Sequence, residues 1–327
     1  MELELGSWNV RTLLKPGAQR NLLDELKKYG IKIAAIQETR WPGQSIRDTR
    51  THTILQSGKL QGNREFGVAF IIDRSIKHSI LDFQAVSERI CALRIKTKFF
   101  NISFINVHCP TEDKNRDIKE QFYQQLERVY DNTPKNDIKI VIGDMNAQIG
   151  REEGYVGIIG KHSLHSESNE NGEMLIDFAA SKNMIVSSTC FPHRDIHKAT
   201  WISPDGLTAN QIDNLLIERR GATSILDVKA RRGASCGTDH FLLQARFRSK
   251  IQKQQRSHTQ RSEKIDLEKL KDQRTREKYE SEVSRKMQSV DGQTMEELWE
   301  VIWENDYNDN GQRGDRNTKT PTQRNMV

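Results

Sequence analysis

A chain of 327 residues with 35% apolar and 29% charged side chains can hold one large domain plus an appendage, and is polar enough for a soluble protein. No apolar run reaches the length of a bilayer span, and Met1 to Val10 carries neither a basic leader nor an apolar signal core, so neither a membrane segment nor a secretory signal is expected. The net charge of +6 suits a polyanionic partner, although ordinary solvated faces carry such an excess too.

In chain order, Met1 to Val10 alternates like a strand and ends in Ser7-Trp8-Asn9-Val10. Gln19 to Tyr29 sets Leu22, Leu23 and Leu26 on one helical face. Ile31 to Ile36 is a short apolar run, read as a buried strand, that finishes in Ile36-Gln37-Glu38-Thr39. Trp41 to Ile54 is predicted as a long loop. Phe66 to Ile72, Ile102 to Val107 and Ile138 to Ile142 are further buried strands, the last entering Gly143-Asp144-Met145-Asn146. Helices are predicted over Ile118 to Val129 and Gly172 to Ser181, with a second long loop from Gly150 to Asn171. Gln211-Ile212-Asp213-Asn214 and Gly237-Thr238-Asp239-His240 are each read at the end of a strand. Strands with helices between them predict a layered α/β domain over residues 1–248. Composition shifts beyond it: a basic polar linker at 249–264, a helical extension at 265–304 and a tail at 305–327 predicted to be disordered.

Cys91, Cys109, Cys190 and Cys236 lack paired spacing and read as reduced thiols. Cys190, His193 and His197 are of zinc-ligand type, but no further pair follows at finger spacing. Arg219-Arg220, Lys229, Arg231-Arg232 and the basic run from Arg246 crowd the last two polar motifs, where a nucleic-acid backbone and a plain solvated face fit charge alone equally well.

The polar motifs carry the chemistry. Glu38 with Asp239, and Asn9 as a neutral oxygen donor, has the composition of a site for a hard divalent cation such as magnesium. A structural ion pair is the plainer reading of Glu38. Asp144 and Asn146, two apart, can point the same way: the carboxylate to orient or deprotonate a water, the amide to donate to a phosphate oxygen. The competing reading there is an Asx turn. His240 can stabilise a phosphoryl transition state or relay a proton if a carboxylate fixes its tautomer, and Asp213 is the candidate partner. A lone Asp-His would otherwise be a surface helix cap.

The order Trp-Asn-Val, Gln-Glu, Gly-Asp-Met-Asn, Gln-Ile-Asp and Thr-Asp-His resembles the endonuclease/exonuclease/phosphatase superfamily over residues 3–248. Glu38-Thr39-Arg40-Trp41, the run Asn106 to Asp113, Asn171-Gly172-Glu173 and Ala199-Thr200-Trp201 resemble the endonuclease domain of non-LTR (LINE-type) retrotransposon polyproteins and related craniofacial-development-protein-like host proteins. The resemblance implies an α/β fold, a four-layered α/β/β/α sandwich with a C-terminal helical extension here. It also implies an endonuclease of retrotransposon origin that nicks one DNA strand and leaves a 3′-hydroxyl. Magnesium, with manganese as a possible substitute, would be held by Glu38, Asn9 and Asp239. Asp144 would activate water, Asn146 would donate to the transition state, and His240, braced by Asp213, would contact the scissile phosphate; whether Asp144 or His240 is the base stays open. Arg40, Trp41, Asn171, Thr200, Trp201, Arg231 and Arg232 would meet DNA. His108 stands where the superfamily often has a tyrosine, which implies altered pH dependence rather than loss of activity. Leu267 to Met287 resembles the connector before a reverse transcriptase, though polymerisation is not expected from these residues. DNA is the expected partner, with no membrane, no small-molecule cofactor and nuclear or nucleocytoplasmic residence inferred from the substrate. The alternatives are an abasic-site endonuclease or other phosphodiesterase of the superfamily, and a domesticated nucleic-acid- or protein-binding protein with little catalysis.

Overall fold

The computed structural model describes residues 2–62 and 64–248 and, further on, 272–274, 276–278 and 280–281. In chain order the elements are β1 (Glu2–Asn9), α1 (Ala18–Lys28), β2 (Ile33–Gln37), β3 (Gln44–Asp48), β4 (His52–Ser57), β5 (Val68–Asp73), β6 (Ile80–Ala85), β7 (Ile90–Lys96) and β8 (Asn101–His108). Then come α2 (Arg116–Asn132), β9 (Ile138–Asp144), α3 (Glu170–Ser181), β10 (Met184–Val186), β11 (Trp201–Ile202), β12 (Ala209–Asn210), β13 (Asp213–Glu218), β14 (Ile225–Arg231) and β15 (Leu242–Arg248).

One sheet runs β14-β15-β1-β2-β5-β4-β3 and the other β10-β13-β9-β8-β7-β6. Among the described strands, β1/β2 and β8/β9 are the parallel pairs. A parallel pair needs a long crossover, and α1 and α2 supply it. The carboxyl ends of these four central strands therefore gather at one edge. β15 runs antiparallel to β1, and β13 antiparallel to β9, so their amino ends arrive at that same edge. This corrects the reading of two motifs. Asp213 is the first residue of β13 and His240 lies two residues before β15; both stand at strand starts, brought to the site by reversed strand direction.

The layers follow from side-chain alternation. Leu5, Ile33, Phe70 and Phe247 of the first sheet face Leu93, Phe104, Ile140 and Ile217 of the second in one central core. The first sheet's outer face packs Trp8, Ile36 and Ile71 with Leu22 and Leu26 of α1. The second sheet's outer face packs Ile105 and Val141 with Leu126 of α2 and Ile176 of α3. The result is the four-layered α/β/β/α sandwich. Near the site edge the two sheets are also tied by polar side chains: the Gln37 amide donates to Asn106 Oδ1 at 2.7 Å, and the Asn106 amide donates to the carbonyls of Ile36 and Ala69. Buried bonds of this kind fix the relative position of the sheets because breaking one strands polar groups away from water.

The predicted loop from Trp41 to Ile54 contains β3 and the start of β4 instead. β3 is an edge strand held by its backbone ladder to β4, and all five of its side chains are exposed, so no burial pattern marks it. Contacts divide the chain into Met1–Gln255, which holds the sandwich, and Arg256–Val327. In the second unit Gln273, Arg274 and Arg276 to Lys278 are helical, and Arg276 pairs with Glu280 at 2.9 Å. The expected linker at 249–264, most of the helical extension at 265–304 and the tail at 305–327 lie outside the described residues.

Candidate active site

β9 delivers Asp144, 1% exposed, to the shared edge. Gly143 before it permits close strand contact, because a Cβ there would lie 2.0 Å from the Val107 carbonyl oxygen. An Asx turn forms here: the Asn146 backbone N–H donates to Asp144 Oδ1 at 3.0 Å, and the Asn146 side-chain amide donates to the Cys109 carbonyl at 2.9 Å. Asp213 sits opposite Asp144 in the β9/β13 register. His240 Nδ1 lies 2.9 Å from Asp213 Oδ2, and its Nε2 is 3.9 Å from Asp144 Oδ2. Trp8 Nε1 donates to the His240 carbonyl at 3.0 Å, fixing the backbone that carries the ring. Asp144, Asp213 and His240 thus form a buried cluster with one potential ligand atom from each within 4.8 Å of the others.

The environment separates two histidines. Burial disfavours a charged His240, but the carboxylates of Asp213, Asp144 and Asp239 outweigh it and raise the imidazole to about 9. His108 is lowered to about 4, chiefly by burial, with Arg89 and His240 adding to the effect against Asp144. Its Nε2 lies 3.8 Å from Glu38 Oε1 and 3.9 Å from Asp144 Oδ2. Burial and the neighbouring Asp213 raise Asp144 above the usual carboxylate range, against the pull of both histidines. At neutral pH the site therefore combines an imidazolium at His240 with a neutral imidazole at His108.

Glu38 follows β2 in a left-handed conformation, φ 54°, that turns its carboxylate into the site. The Asn9 amide nitrogen donates both to Glu38 Oε1 and to Asp144 Oδ2, each at 2.9 Å, while its oxygen accepts from the Arg11 backbone at 3.0 Å. Asn9 thus bridges the two carboxylates through its nitrogen, and oxygen ligation would require the amide to rotate. Asp239 accepts from Trp201 Nε1 at 3.2 Å and from Thr238 Oγ1 at 3.3 Å. The side chains of Glu38 and Asp239 are each 22% exposed, whereas Asp144 and Asp213 are buried. Glu38 and Asp239 are therefore the carboxylates open to a hydrated ion. An oxygen donor set with solvent access fits a hard divalent cation that keeps some of its waters.

The residues expected at DNA divide into two groups. Arg40, Trp41, Trp201 and Arg231 are part-exposed and Arg232 is exposed. Arg40 Nη2 lies 3.5 Å from Glu38 Oε2, Arg47 stacks 4.1 Å over the Trp41 ring, and Arg232 lies 4.9 Å over Phe241. Asn171 and Thr200, by contrast, are 2% and 0% exposed and cannot form a surface. The Asn171 amide donates to the carbonyls of Pro110 and Asn146 at 3.0 and 2.8 Å. Thr200 Oγ1 accepts from the backbone N–H groups of Ile212 and Asp213, both at 3.0 Å. Each braces a site residue from behind. Trp8, Phe66 and Arg89 belong to the site but stand in none of the motif roles assigned above; a Trp before the first Asn was the one available signal. Among the described residues Cys190, His193 and His197 form no ligand cluster: His193 Nε2 lies 2.6 Å from Asp227, and the Cys190 thiol donates to the Val186 carbonyl. All four cysteines are free.

A four-layered sandwich with carboxylates, amides and an acid-braced histidine at one sheet edge defines a class, and the chain belongs to the Endonuclease/Exonuclease/phosphatase family, whose model matches residues 6–240. Members of that family are typically hydrolases of phosphodiester bonds and generally use divalent metals. A curated relative is craniofacial development protein 2 of Tragulus javanicus, 35% identical over 247 residues that cover 76% of this chain and 42% of the relative. The chain spans about two fifths of that protein's length. Among solved structures, the catalytic domain of Xenopus laevis APE2 is similar with a TM-score of 0.59 and 19% identity over 76% of this chain and 92% of that one. The endonuclease domain of TRAS1, a telomere-specific non-LTR retrotransposon, is similar with a TM-score of 0.54 and 18% identity over 76% and 99%. At these identities the structural likeness speaks to fold.

Proposed function

We propose that this chain is a magnesium-dependent DNA endonuclease of retrotransposon origin that nicks one strand. The observation that carries the reading is the braced pair His240–Asp213 set against Asp144, with Asn9 linking Asp144 to Glu38. Asp144 orients and deprotonates a water, whose oxygen forms a bond to phosphorus as the P–O3′ bond breaks. The departing oxygen takes a proton from solvent water and becomes the 3′-hydroxyl, and Asp144 returns its proton to solvent. His240, held by Asp213, donates to a nonbridging phosphate oxygen as charge builds there. The Asn146 amide lies beside Asp144 and is freed for the same oxygen by giving up its bond to Cys109. Glu38 and Asp239, the first oriented by Asn9, would hold magnesium, which when bound would supply charge neutralisation at the phosphate. Arg40, Trp41, Trp201, Arg231 and Arg232, part-exposed or exposed, are the side chains assigned to the DNA backbone and its bases. DNA as substrate implies residence in the nucleus.

The craniofacial relatives also suit a domesticated binding protein. The complete, mutually bonded set of acids, amides and histidine argues for catalysis, since a scaffold retained only for binding has no need of a buried carboxylate-histidine cluster. End-labelled duplexes with and without an abasic site, incubated with magnesium, test the reading. Cleavage of intact duplex to ends that a polymerase extends directly supports a nicking endonuclease. Cleavage confined to the abasic duplex favours the abasic-site alternative, and binding without cleavage overturns both.

A further inference from the structure

Phe66 holds a left-handed backbone, φ 61°, which is rare for a bulky aromatic residue and persists only where its surroundings enforce it. Its surroundings are the rim of the site. The Arg89 guanidinium lies 3.9 Å over the Phe66 ring, and the His108 ring is 5.8 Å away on centroids. The Phe66 carbonyl accepts from the Arg40 backbone at 2.8 Å, and the Gly67 carbonyl accepts from Thr39 at 3.0 Å, so this pair clamps the turn that presents Glu38. Gly67 is required there: a Cβ would lie 2.6 Å from Thr39 Oγ1. Gly67 in turn donates to the Glu88 carbonyl of the opposite sheet's β6–β7 turn at 2.9 Å.

Arg89 grips the second sheet. Its Nη1 donates to the carbonyls of His108 at 3.0 Å and Cys109 at 3.4 Å, and its own carbonyl accepts from the His108 N–H at 2.9 Å. The Cys109 carbonyl is the acceptor of the Asn146 amide, and the Cys109 N–H donates to the Asp144 carbonyl. The chain of contacts thus runs from Glu38 through Phe66 and Arg89 to His108, Asn146 and Asp144.

We propose that Phe66 and Arg89 are positioning residues: their stacked pair brackets the two sheets at the rim and sets Glu38 of one sheet against His108, Asp144 and Asn146 of the other. The proposal rests on the phosphodiesterase reading for its kinetic consequence, though not for its geometry. A planar guanidinium is needed both to stack on the ring and to reach two carbonyls, which lysine cannot do together. Misplacing catalytic groups by about 1 Å lowers turnover far more than binding.

The variants are Phe66→Leu, which keeps apolar bulk but loses the π face, Phe66→Tyr, which keeps both, Arg89→Lys, and the Phe66→Leu/Arg89→Lys double. Turnover and KM on a duplex oligonucleotide are read beside the backbone amide resonances of Arg40 and Asn146 in metal-free protein. The bracket predicts that Phe66→Leu and Arg89→Lys each lower kcat about ten- to a hundredfold with KM nearly unchanged. The double is no worse than the poorer single, and Phe66→Tyr restores both kcat and the resonances. Unchanged kcat, additive losses, or leucine and tyrosine behaving alike would overturn it. If the intact chain itself cleaves nothing, the phosphodiesterase reading falls, and the amide resonances alone decide the bracket: shifts in the leucine variant that revert with tyrosine sustain it, and their absence sinks it.

Discussion

Replacing Asp213 by Asn keeps the side chain's shape and removes its charge, which isolates what that carboxylate does to His240. Burial alone would push the imidazole below its ordinary 6.5; the surrounding carboxylates instead carry it to about 9. That rise corresponds to roughly 3 kcal/mol in favour of the imidazolium, at about 1.4 kcal/mol per tenfold change in acidity. Asp213 stands 2.9 Å from Nδ1 and Asp144 3.9 Å from Nε2, so most of the effect leaves with the substitution. Asp213→Asn should therefore return the His240 titration to its ordinary value or below. Because the folded value lies above the unfolded one, the native state binds the extra proton between 6.5 and about 9. The stabilisation is fully present below 6.5 and is lost as pH rises through about 9. The melting-temperature gap between the intact chain and the variant should be widest in mild acid and close in mild alkali. Imidazole proton resonances of metal-free protein and parallel melts across the same pH range measure both effects, and kcat near neutrality should fall by about 10²–10⁴. A variant whose His240 still titrates as before, or a gap that widens with rising pH, would refute the reasoning.

Three further outcomes follow from the same geometry. Asn171→Ala leaves two buried carbonyls without their donor, so it should destabilise by about 1–3 kcal/mol in denaturant melts and depress turnover through the loosened Asn146 segment. His108 is held down near 4, so the native state carries fewer protons than the unfolded chain between about 4 and 6.5. Stability should fall as pH drops through that window, and His108→Tyr should flatten the fall while leaving the neutral-pH rate profile in place. This confines the altered pH dependence expected from the sequence to the acid side. Gly143→Ala forces a Cβ against the Val107 carbonyl and should cost about 1–3 kcal/mol or more, seen as a lowered melting temperature.

The sandwich could be read from the chain wherever a strand is buried on both faces. Ile140 to Ile142 and Ile33 to Ile36 are continuous apolar runs because helices cover one side and the partner sheet the other. β3 escaped because an exposed edge strand has only its backbone ladder to define it. Strand direction was equally hidden. Nothing local distinguishes Asp213 at a strand start from Asp144 at a strand end, and only the antiparallel register places them side by side. Asn171 and Thr200 are assigned to DNA by the resemblance of their segments, and nothing local in the sequence marks them as buried. Their true partners, backbone groups at Asn146, Ile212 and Asp213, lie 25, 12 and 13 residues away. Phe66 and Arg89 carry no motif, since what unites them is a contact across two sheets.

Nicking of supercoiled plasmid by the purified chain, with magnesium or with EDTA, and beside Glu38→Ala and His240→Ala, tests the central claim most directly. The account predicts magnesium-dependent conversion to open circle that both substitutions abolish. No conversion by the intact chain, or conversion that persists in EDTA or survives either substitution, would contradict it.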